Sequence, residues 1–380
     1  MNYERKNCRL CGAGVTPRLI LTPTPIANAF AETSDEGATR YNLGLTQCDS
    51  CGHVQIGYVI DGSLLFTAYQ HYATPPAMCA YLEDCAATMR RKYPKAEFVV
   101  EIGSNNGLNA GILRKYFEHV EEVDPGGTSY LCMKVPFTAE FSKHFVNVDL
   151  IVANHVFAHI DDLDDVFKGV SLCLADDGAL VFEVQYFPDM VRLGAFDMIY
   201  HEHRDYHTLN PLSAFARKHG LVLTEYERVP HIQGGSIRVT MKKQGIECAL
   251  PDESIDWDAF RSSIAAGVEN IKRMTAADGV LTHGDDWIVF GAAAKACTLL
   301  HHAGIADRVM YAVDDTPAKQ GKYIPGTRIK ILPVNTLYQS KSTKNLFLAA
   351  WNYAEVIKKA HPTFKFKVPF QKHQSLTLNT

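Results

Sequence analysis

Apolar and polar residues follow three different patterns along the chain. The first sixty or so residues alternate with a period of two in "RYNLGLTQ" and "HVQIGYVI", which predicts short antiparallel strands. Farther on, Phe98 to Ile102 form an apolar run that leads into a glycine turn and a helical pattern. The segment "DWIVFGAAAKACTLLHHAGI" repeats this order of strand, small-residue turn and helix. The chain is therefore predicted to be an α/β protein with a small N-terminal β ribbon and two Rossmann-like units.

Length and composition limit the classes to consider. The 380 residues suggest two or three domains, here placed at 1–62, 63–248 and 249–380. With 38 basic and 42 acidic residues the net charge is -4, and the absence of a basic stripe argues against nucleic-acid binding. No apolar run approaches the roughly 20 residues that span a bilayer, and the start "MNYERKNCRL" lacks an apolar signal core. We expect a cytoplasmic protein without membrane partners.

Four of the ten cysteines form two Cys-x-x-Cys pairs, Cys8 with Cys11 and Cys48 with Cys51. Two such turns can complete a tetrahedral four-thiolate zinc site, and Gly12 and Gly52 follow where tight knuckles favour positive φ. A redox dithiol or free thiols are the alternative. Since four thiolates leave no open position, the predicted zinc is structural rather than catalytic. The other six cysteines are interpreted as small buried residues.

The glycine turn after the first apolar run carries the candidate cofactor site. Glu101 ends the strand and is followed by Gly103-Ser104-Asn105-Asn106-Gly107. An acid followed by Gly-x-x-x-Gly is typical of S-adenosylmethionine methyltransferases, in which the backbone approaches the cofactor. A nicotinamide enzyme is the alternative, but the Gly-x-Gly-x-x-Gly pattern is missing. We predict that Glu101, Gly103, Ser104, Asn105 and Gly107 bind S-adenosylmethionine.

Two later strands supply further cofactor residues. "HVEEVDP" predicts a strand ending at Asp124, about 20 positions after the turn, where a carboxylate can accept hydrogen bonds from ribose hydroxyls. Val148 to Ala153 predict the fourth strand, with Asn154 and His155 at its carboxyl end. Ligands of open α/β sheets bind at that edge. The order of these elements predicts a class I methyltransferase domain.

The stretch "IYHEHRDYHTL" concentrates three histidines within eleven residues, 199–209. A solvated loop or a set of structural histidines capping a helix near Pro211 would explain the pattern without chemistry. Acid–base catalysis is the alternative, because imidazole titrates near neutral pH.

In the C-terminal unit, Lys295 after "GAAA" could meet a phosphate at a helix N-terminus, or the small residues could simply permit close packing.

The combination of motifs resembles the sugar C-methyltransferases that act on nucleotide-linked 4-keto-deoxysugars, from Cys8 to about Ile357. The hallmark Tyr-His-Glu-His is matched at residues 200–203, followed by Tyr206. Ala158-His159-Ile160 matches the end of the fourth strand, and Gly-Gly-Ser-x-Arg recurs at residues 234–238. A tyrosine-bearing loop matches "AYQHYATPP", with Tyr72 the equivalent of the active-site tyrosine and Tyr69 the alternative.

This resemblance implies roles for the site residues. His203 would deprotonate the carbon beside the ketone, and Tyr200 and Tyr72 would hydrogen-bond the ketone or enolate oxygen. Glu202 would orient an imidazole or bind a sugar hydroxyl, and His159 would contact the sugar or relay a proton. The substrate is expected to be a thymidine-diphosphate-linked sugar whose nucleotide half lies against the C-terminal unit. The substrate-binding candidates are Ser236, Arg238 and Lys295.

The sequence leaves other functions open. A methyltransferase of the same architecture could act on O or N of another small metabolite and would need no carbon acid. A zinc-ribbon protein that binds a nucleotide or a partner without turnover is a second possibility, and a zinc-ribbon RNA methyltransferase is a third. Also open are the sugar, the nucleotide base, methylation at C3 or C5, the stereochemistry and the oligomeric state.

Overall fold

The fold is described from a computed structural model, which describes residues 2–65, 76–230, 232–276, 287–339 and 345–370. The N-terminal part is a β ribbon. Its elements are β1 (Tyr3–Glu4), β2 (Val15–Thr24), β3 (Tyr41–Cys48), β4 (Val54–Ile56), β5 (Tyr58–Val59) and α1 (Gly62–Leu65). Strands β2, β3 and β4 pair antiparallel, and β1 pairs with β5. The two alternating segments do form strands, because the apolar half of each faces a core that contains Leu43, Leu45 and Ile56.

The central part contains helices on both sides of one sheet. Its elements are α2 (Pro76–Lys92), β6 (Phe98–Ile102), α3 (Leu108–Leu113), β7 (His119–Val123), β8 (Cys132–Met133), β9 (Val148–Asn154), α4 (Leu163–Cys173), β10 (Leu174–Gln185), α5 (Phe187–Leu193), β11 (Asp205–Tyr206), α6 (Leu209–Lys218), β12 (Val222–Val229) and β13 (Ser236–Lys242). Asp162 caps α4 by accepting a hydrogen bond from the Asp165 amide at 3.0 Å.

The central sheet has seven strands in the order β12-β13-β10-β9-β6-β7-β8. Strand β13 runs antiparallel to both of its neighbours, and the other pairs are parallel. This order, with the last strand inserted antiparallel, is that of class I methyltransferases, as the sequence predicted. The strand order reverses between β6 and β9, and a crevice for ligands opens at the carboxyl ends of these strands.

The C-terminal part is a second, smaller α/β unit. Its elements are α7 (Trp257–Met274), β14 (Trp287–Phe290), α8 (Ala294–Ala303), β15 (Val309–Val313), β16 (Lys330–Leu332), β17 (Asn345–Leu348), α9 (Ala354–Ala360) and β18 (Phe366–Lys367). Its five strands are all parallel, in the order β16-β15-β14-β17-β18. The predicted second Rossmann-like unit is therefore present.

Three details connect these parts or depart from expectation. Strand β11 of the central part pairs with β4 and completes the four-stranded sheet of the ribbon. Asp177 and Gly178 lie inside β10, where the register with β9 shifts between Leu174 and Ala179. The helix expected near Pro211 begins at Leu209.

Within the described residues, no helix is both long enough and apolar enough to cross a membrane.

One hydrophobic core spans the ribbon, the C-terminal unit and the segment that follows β10. It joins Leu45 and Ile56 of the ribbon to Phe187 and Phe196 of the central part and to Leu299 of α8. Truncating one of the buried phenylalanines to alanine would cost roughly 3–5 kcal/mol of unfolding free energy. The segment between α5 and α6 is therefore anchored by all three parts of the chain.

Candidate active site

The two cysteine pairs converge at one end of the ribbon. The sulfur atoms of Cys8, Cys11, Cys48 and Cys51 all lie within 4.8 Å of one another. Two of the separations are 3.4 Å and 3.7 Å, close to the edge of about 3.8 Å expected for a tetrahedron with 2.3 Å zinc–sulfur bonds. The amides of Ser50 and Cys51 point at the Cys48 sulfur, as in a zinc knuckle. The residues present thus fit a structural zinc ion.

The glycine turn after β6 packs closely against neighbouring segments. Gly103 and Gly107 have φ values of 78° and 77°, a backbone conformation that residues with a side chain rarely adopt. A Cβ at Gly103 would lie 2.6 Å from Val156, and one at Gly107 would lie 2.7 Å from Ser129. Ser104 is buried and contacts Cys132 at 3.3 Å. The turn therefore depends on both glycines.

Buried acids line this turn. Glu101 accepts a hydrogen bond from Asn109 at 2.7 Å, and burial raises the pKa of its carboxyl group to about 8. Asp124 accepts hydrogen bonds from the amides of Asn105 and Gly126 at 2.9 and 2.8 Å. Among the described residues, Glu101 Oε2 and Asn105 Oδ1 have no hydrogen-bond partner. Such orphaned acceptors fit a cationic, hydrogen-bonding cofactor such as S-adenosylmethionine.

The carboxyl end of β9 carries a second polar network. Asn154 lies opposite Glu183 of β10, and His155 adopts a φ of 55°. His155 Nε2 lies 3.0 Å from a Glu183 carboxylate oxygen. The other Glu183 oxygen accepts hydrogen bonds from Tyr81 of α2 and from Arg238 of β13. Burial favours the protonated acid, but the bonds from His155, Tyr81 and Arg238 outweigh it and lower the Glu183 pKa.

Arg238 is thus engaged within the protein. It also contacts Glu227 at 3.0 Å and the Cys85 sulfur at 2.9 Å. Ser236, the other candidate of this strand, is fully buried and its hydroxyl donates to the Ile232 carbonyl at 3.3 Å. Binding of the substrate by Ser236 or Arg238 stays a prediction.

The histidine-rich stretch lies where the three parts of the chain meet. Asn28 of the ribbon donates two hydrogen bonds to Glu202, at 3.1 and 3.0 Å. Thr298 of α8 donates to the Ile199 carbonyl at 2.8 Å. The Arg204 amide donates to the Ala158 carbonyl at 2.7 Å, so the stretch also touches the loop after β9. The histidine-rich stretch is buried, which excludes a solvated loop.

His203 and Tyr200 form a close pair. The Tyr200 hydroxyl lies 2.6 Å from His203 Nε2, and the ring centroids are 4.0 Å apart. His203 Nδ1 lies 3.0 Å from the Met198 carbonyl. Because a carbonyl only accepts, Nδ1 must carry the proton and Nε2 presents a lone pair toward the tyrosine hydroxyl. The imidazole is thereby held in one tautomer with its basic nitrogen beside a hydroxyl donor.

His159 and Glu202 extend this pair. His159 Nδ1 donates to the Glu202 carbonyl at 2.8 Å, and its ring centroid is 4.9 Å from that of His203. Burial lowers the His159 pKa to about 4 and the His203 pKa well below its ordinary value, so both rings are neutral at pH 7. Glu202 Oε2 has no partner within the described part of the chain, and burial raises the Glu202 pKa.

The C-terminal unit approaches the histidine-rich stretch through Lys295 and its neighbours. Lys295 is buried, hydrogen-bonds Asn352 and lies 4.7 Å from the Trp351 ring centroid. Trp351 donates to the buried Asp197 at 2.6 Å. Burial lowers the Lys295 pKa to about 8. The predicted contact of Lys295 with a phosphate stays a prediction, and Tyr72 and Tyr69 lie outside the described residues.

Sequence reasoning missed several side chains that shape the site. Glu183 ends an apolar strand, as Glu101 does, and a lone acid in such a strand is a usable signal. Asn28 and Tyr81 carry no local signal, because their partners Glu202 and Glu183 are more than a hundred positions away. The same holds for Arg9, which lies between two predicted zinc ligands and gives no sign in the sequence of a distant partner.

Three models of protein families match the chain. Residues 8–66 match a zinc binding domain, residues 69–226 a methyltransferase domain, and residues 231–367 the C-methyltransferase C-terminal domain. A curated relative, the C-methyltransferase NovU of Streptomyces niveus, is 27% identical over 391 residues, which cover 92% of this chain and 90% of NovU. The chain therefore carries the domain set of a zinc-binding, S-adenosylmethionine-dependent C-methyltransferase.

The comparison with solved structures gives matches to less than half of the chain. The geranyl diphosphate C-methyltransferase of Streptomyces coelicolor is 12% identical, with 46% of this chain and 92% of that chain covered and a TM-score of 0.34. The YcgJ protein of Bacillus subtilis is 14% identical, with 43% and 99% covered and a TM-score of 0.34.

Proposed function

We propose that this homologue of C-methyltransferase NovU methylates a carbon next to the ketone of a nucleotide-linked 4-keto-deoxysugar. The methyl donor would be S-adenosylmethionine and the methylated position C3. The observation that carries the proposal is the His203–Tyr200 pair, a neutral imidazole whose Nε2 faces a hydroxyl donor 2.6 Å away. A hydroxyl acceptor can also use a base, but its proton and its developing charge belong to the same oxygen, whereas a carbon acid needs a base at carbon and a donor at the neighbouring oxygen.

The spacing of this pair suits a carbon acid. In a ketone the carbonyl oxygen and the adjacent carbon are about 2.4 Å apart, from ordinary C–C and C=O bond lengths. A base and a hydrogen-bond donor 2.6 Å apart can therefore contact the carbon and the oxygen of one enolate at the same time. His203 would take the proton from carbon while Tyr200 turns its hydroxyl to the developing oxyanion. The enolate carbon would then accept the methyl group that bound S-adenosylmethionine supplies, with the C–S bond broken and S-adenosylhomocysteine as the leaving group.

Burial sets the protonation state of the site. His203 and His159 are neutral at pH 7, so His203 is ready to accept a proton without prior deprotonation. The low basicity of a buried imidazole is offset once an enolate or a substrate diphosphate brings negative charge, which favours the imidazolium. His159, with Nδ1 fixed by the Glu202 carbonyl, would present Nε2 to the sugar or relay the proton.

The remaining residues would hold the two substrates. Glu101, Gly103, Ser104, Asn105, Gly107 and Asp124 would form the cofactor cradle, with Asn154 and His155 closing its edge. The cofactor supplies an electrophilic methyl group when bound. The unpartnered Oε2 of Glu202 would accept a hydrogen bond from a sugar hydroxyl. Ser236, Arg238 and Lys295 remain candidates for the nucleotide half, which we place against the C-terminal unit.

The test is to locate the transferred methyl group. The protein is incubated with S-adenosylmethionine carrying a ¹³C methyl label and a panel of thymidine-diphosphate 4-keto-deoxysugars, and the product is analysed by two-dimensional NMR. We expect a new methyl signal correlated to the carbon next to the ketone. A label bound to oxygen or nitrogen would instead support methylation of a heteroatom. No labelled product from any sugar of the panel would refute the proposed substrate class.

A further inference from the structure

Each zinc knuckle contributes one side chain to the same buried carboxylate. Arg9, between Cys8 and Cys11, donates from Nη1 to Asp205 Oδ2 at 2.6 Å. His53, just after the second knuckle, has Nε2 at 2.8 Å from Asp205 Oδ1. The side chains of His53 and Asp205 are fully buried, and that of Arg9 is 5% exposed. An ion pair this deep is a specific connection rather than a surface contact.

The other amino group of Arg9 reaches a second loop. Arg9 Nη2 donates to the carbonyl oxygens of Ile160 and Asp161 at 2.5 and 2.6 Å. These two residues directly follow His159, and Asp205 lies two residues after His203. One guanidinium group therefore holds the two backbone segments that carry the paired imidazoles. The planar fork of arginine suits this task, because its donors diverge in a fixed geometry.

Backbone hydrogen bonds connect the same segments as the side chains of Arg9 and His53. The Arg204 amide donates to the Ala158 carbonyl at 2.7 Å, which joins the two histidine loops directly. Strand β11, which contains Asp205, pairs with β4 of the ribbon. The Arg9 amide donates to Gln55 of β4 at 3.0 Å, which ties the first knuckle to the strand that β11 pairs with. The side-chain hydrogen bonds of Arg9 and His53 to other described residues do not involve the glycine turn of the cofactor site.

We propose that Arg9 and His53 are positioning residues through which the zinc knuckles set the arrangement of His159 and His203. The zinc ribbon is then part of the catalytic apparatus without touching the substrate. Loss of the guanidinium or of the zinc ion releases the loops after β9 and before β11 together. The glycine turn of residues 103–107 makes none of the side-chain hydrogen bonds of Arg9 and His53, so the affinity for the cofactor is expected to be kept.

The test compares Arg9→Met, Arg9→Lys and His53→Gln with Lys6→Met. Lys6 is a matched control because it lies in the same ribbon, but its side chain is 77% exposed and pairs only with Glu4 among the described ion pairs. The readouts are zinc content, the Kd for S-adenosylmethionine and hydrogen exchange of peptides covering residues 156–162 and 198–207. Exchange of the Arg204 amide reports directly on the bond between the two loops.

We expect Arg9→Met to retain zinc and the cofactor Kd within about twofold, while exchange of both peptides rises about tenfold or more. Turnover should fall by about 10–100-fold in kcat, because small displacements of catalytic groups cost that much. Arg9→Lys should be intermediate, since an ammonium can keep one partner but not the fork. Removing zinc from the unaltered protein should raise the hydrogen exchange of the same two peptides.

Unchanged exchange of both peptides in Arg9→Lys, His53→Gln and the zinc-free protein would overturn the proposal. If Arg9→Met fails to fold, the two milder variants decide the result. The kcat readout rests on the proposed function, but the exchange readout needs no methyl acceptor. If the sugar substrate is not found, the exchange result therefore still tests the positioning role of Arg9 and His53.

Discussion

The two Rossmann-like units share one backbone frame around the turn after the first strand. In the central unit the Gly103 amide donates to the Val123 carbonyl at 2.8 Å, and in the C-terminal unit the Gly291 amide donates to Val313 at 2.8 Å. Asp124 accepts an amide of the first turn at 2.9 Å, and Asp314 accepts an amide of the second at 2.8 Å. Gly291, like Gly103, has a positive φ, 94°.

The side chains on this shared frame differ. Four residues, 104–107, separate the glycine from α3, whereas only two, 292–293, separate it from α8. Glu101 stands two residues before the first glycine, and the buried Val289 stands two residues before the second. Asp314 faces Lys319 at 3.4 Å. The central unit thus has a longer, polar turn, while the C-terminal unit pairs its own charges.

A shared backbone frame alone therefore does not make a cofactor site. The central unit leaves buried acceptors without partners among the described residues, and these are what a cofactor can satisfy. The C-terminal unit engages its polar groups in internal contacts and supports the histidine-rich stretch through Thr298 and Trp351. We therefore assign donor binding to the first unit and loop support to the second.

Replacement of His203, the proposed base, should give the largest loss of turnover while leaving the binding of S-adenosylmethionine unchanged. His203→Gln keeps a hydrogen-bonding side chain but removes the basic nitrogen, so we expect kcat to fall by about 10²–10⁴-fold. The Kd for S-adenosylmethionine, measured by calorimetry, should stay within about twofold. His219→Gln, at the end of α6 and away from the histidine-rich stretch, is the control and should keep turnover. Wild-type turnover in His203→Gln would remove His203 as the base.

The equivalent aspartates provide a matched test of the two units. Asp124→Asn should weaken S-adenosylmethionine binding by about 10–100-fold, because two amides and the ribose lose a carboxylate acceptor. Asp314→Asn should leave the cofactor Kd unchanged, although it breaks the contact with Lys319. Isothermal titration of both variants checks this. Equal losses of affinity in the two variants would contradict the assignment of donor binding to the first unit.

The support given by the second unit should appear in stability. Trp351→Phe keeps an aromatic ring but removes the donor to the buried Asp197, whose pKa burial already raises to about 7. We expect the free energy of unfolding to fall by about 1–3 kcal/mol, the cost of leaving a buried acceptor unpaired. Urea unfolding measures it, with unchanged cofactor affinity as the control. An unaltered unfolding midpoint would show that the contact does not hold the loop.

Cofactor affinity should depend on pH through Glu101. Its pKa near 8 in the free protein means that it is mostly protonated at pH 7. A bound cation favours the ionised form, so affinity should rise with pH, by about eightfold between pH 7 and 8.5. The Glu101→Gln variant should lose this dependence, because its amide does not titrate. A Kd that is flat or weakens over this range in the unaltered protein would contradict the sign.

What the sequence could predict was local. The cysteine pairs, the glycine turn and the alternation of strands and helices follow from spacing and periodicity over a few residues. The contacts that complete the site join distant positions, as Arg9 does with Asp205 and Asn28 with Glu202. The ion pair of Arg238 with Glu183, which lies on the neighbouring strand, is a further example. Only the folded topology brings such pairs together.

Removal of a proton from carbon by His203 can be followed by exchange with solvent. The protein is incubated with the 4-keto sugar in deuterated water and S-adenosylhomocysteine, so that no methyl transfer competes, and the sugar is followed by NMR. We predict deuterium at the carbon next to the ketone, lost in His203→Gln and retained in His219→Gln. Exchange that persists at the wild-type rate in His203→Gln would contradict the account.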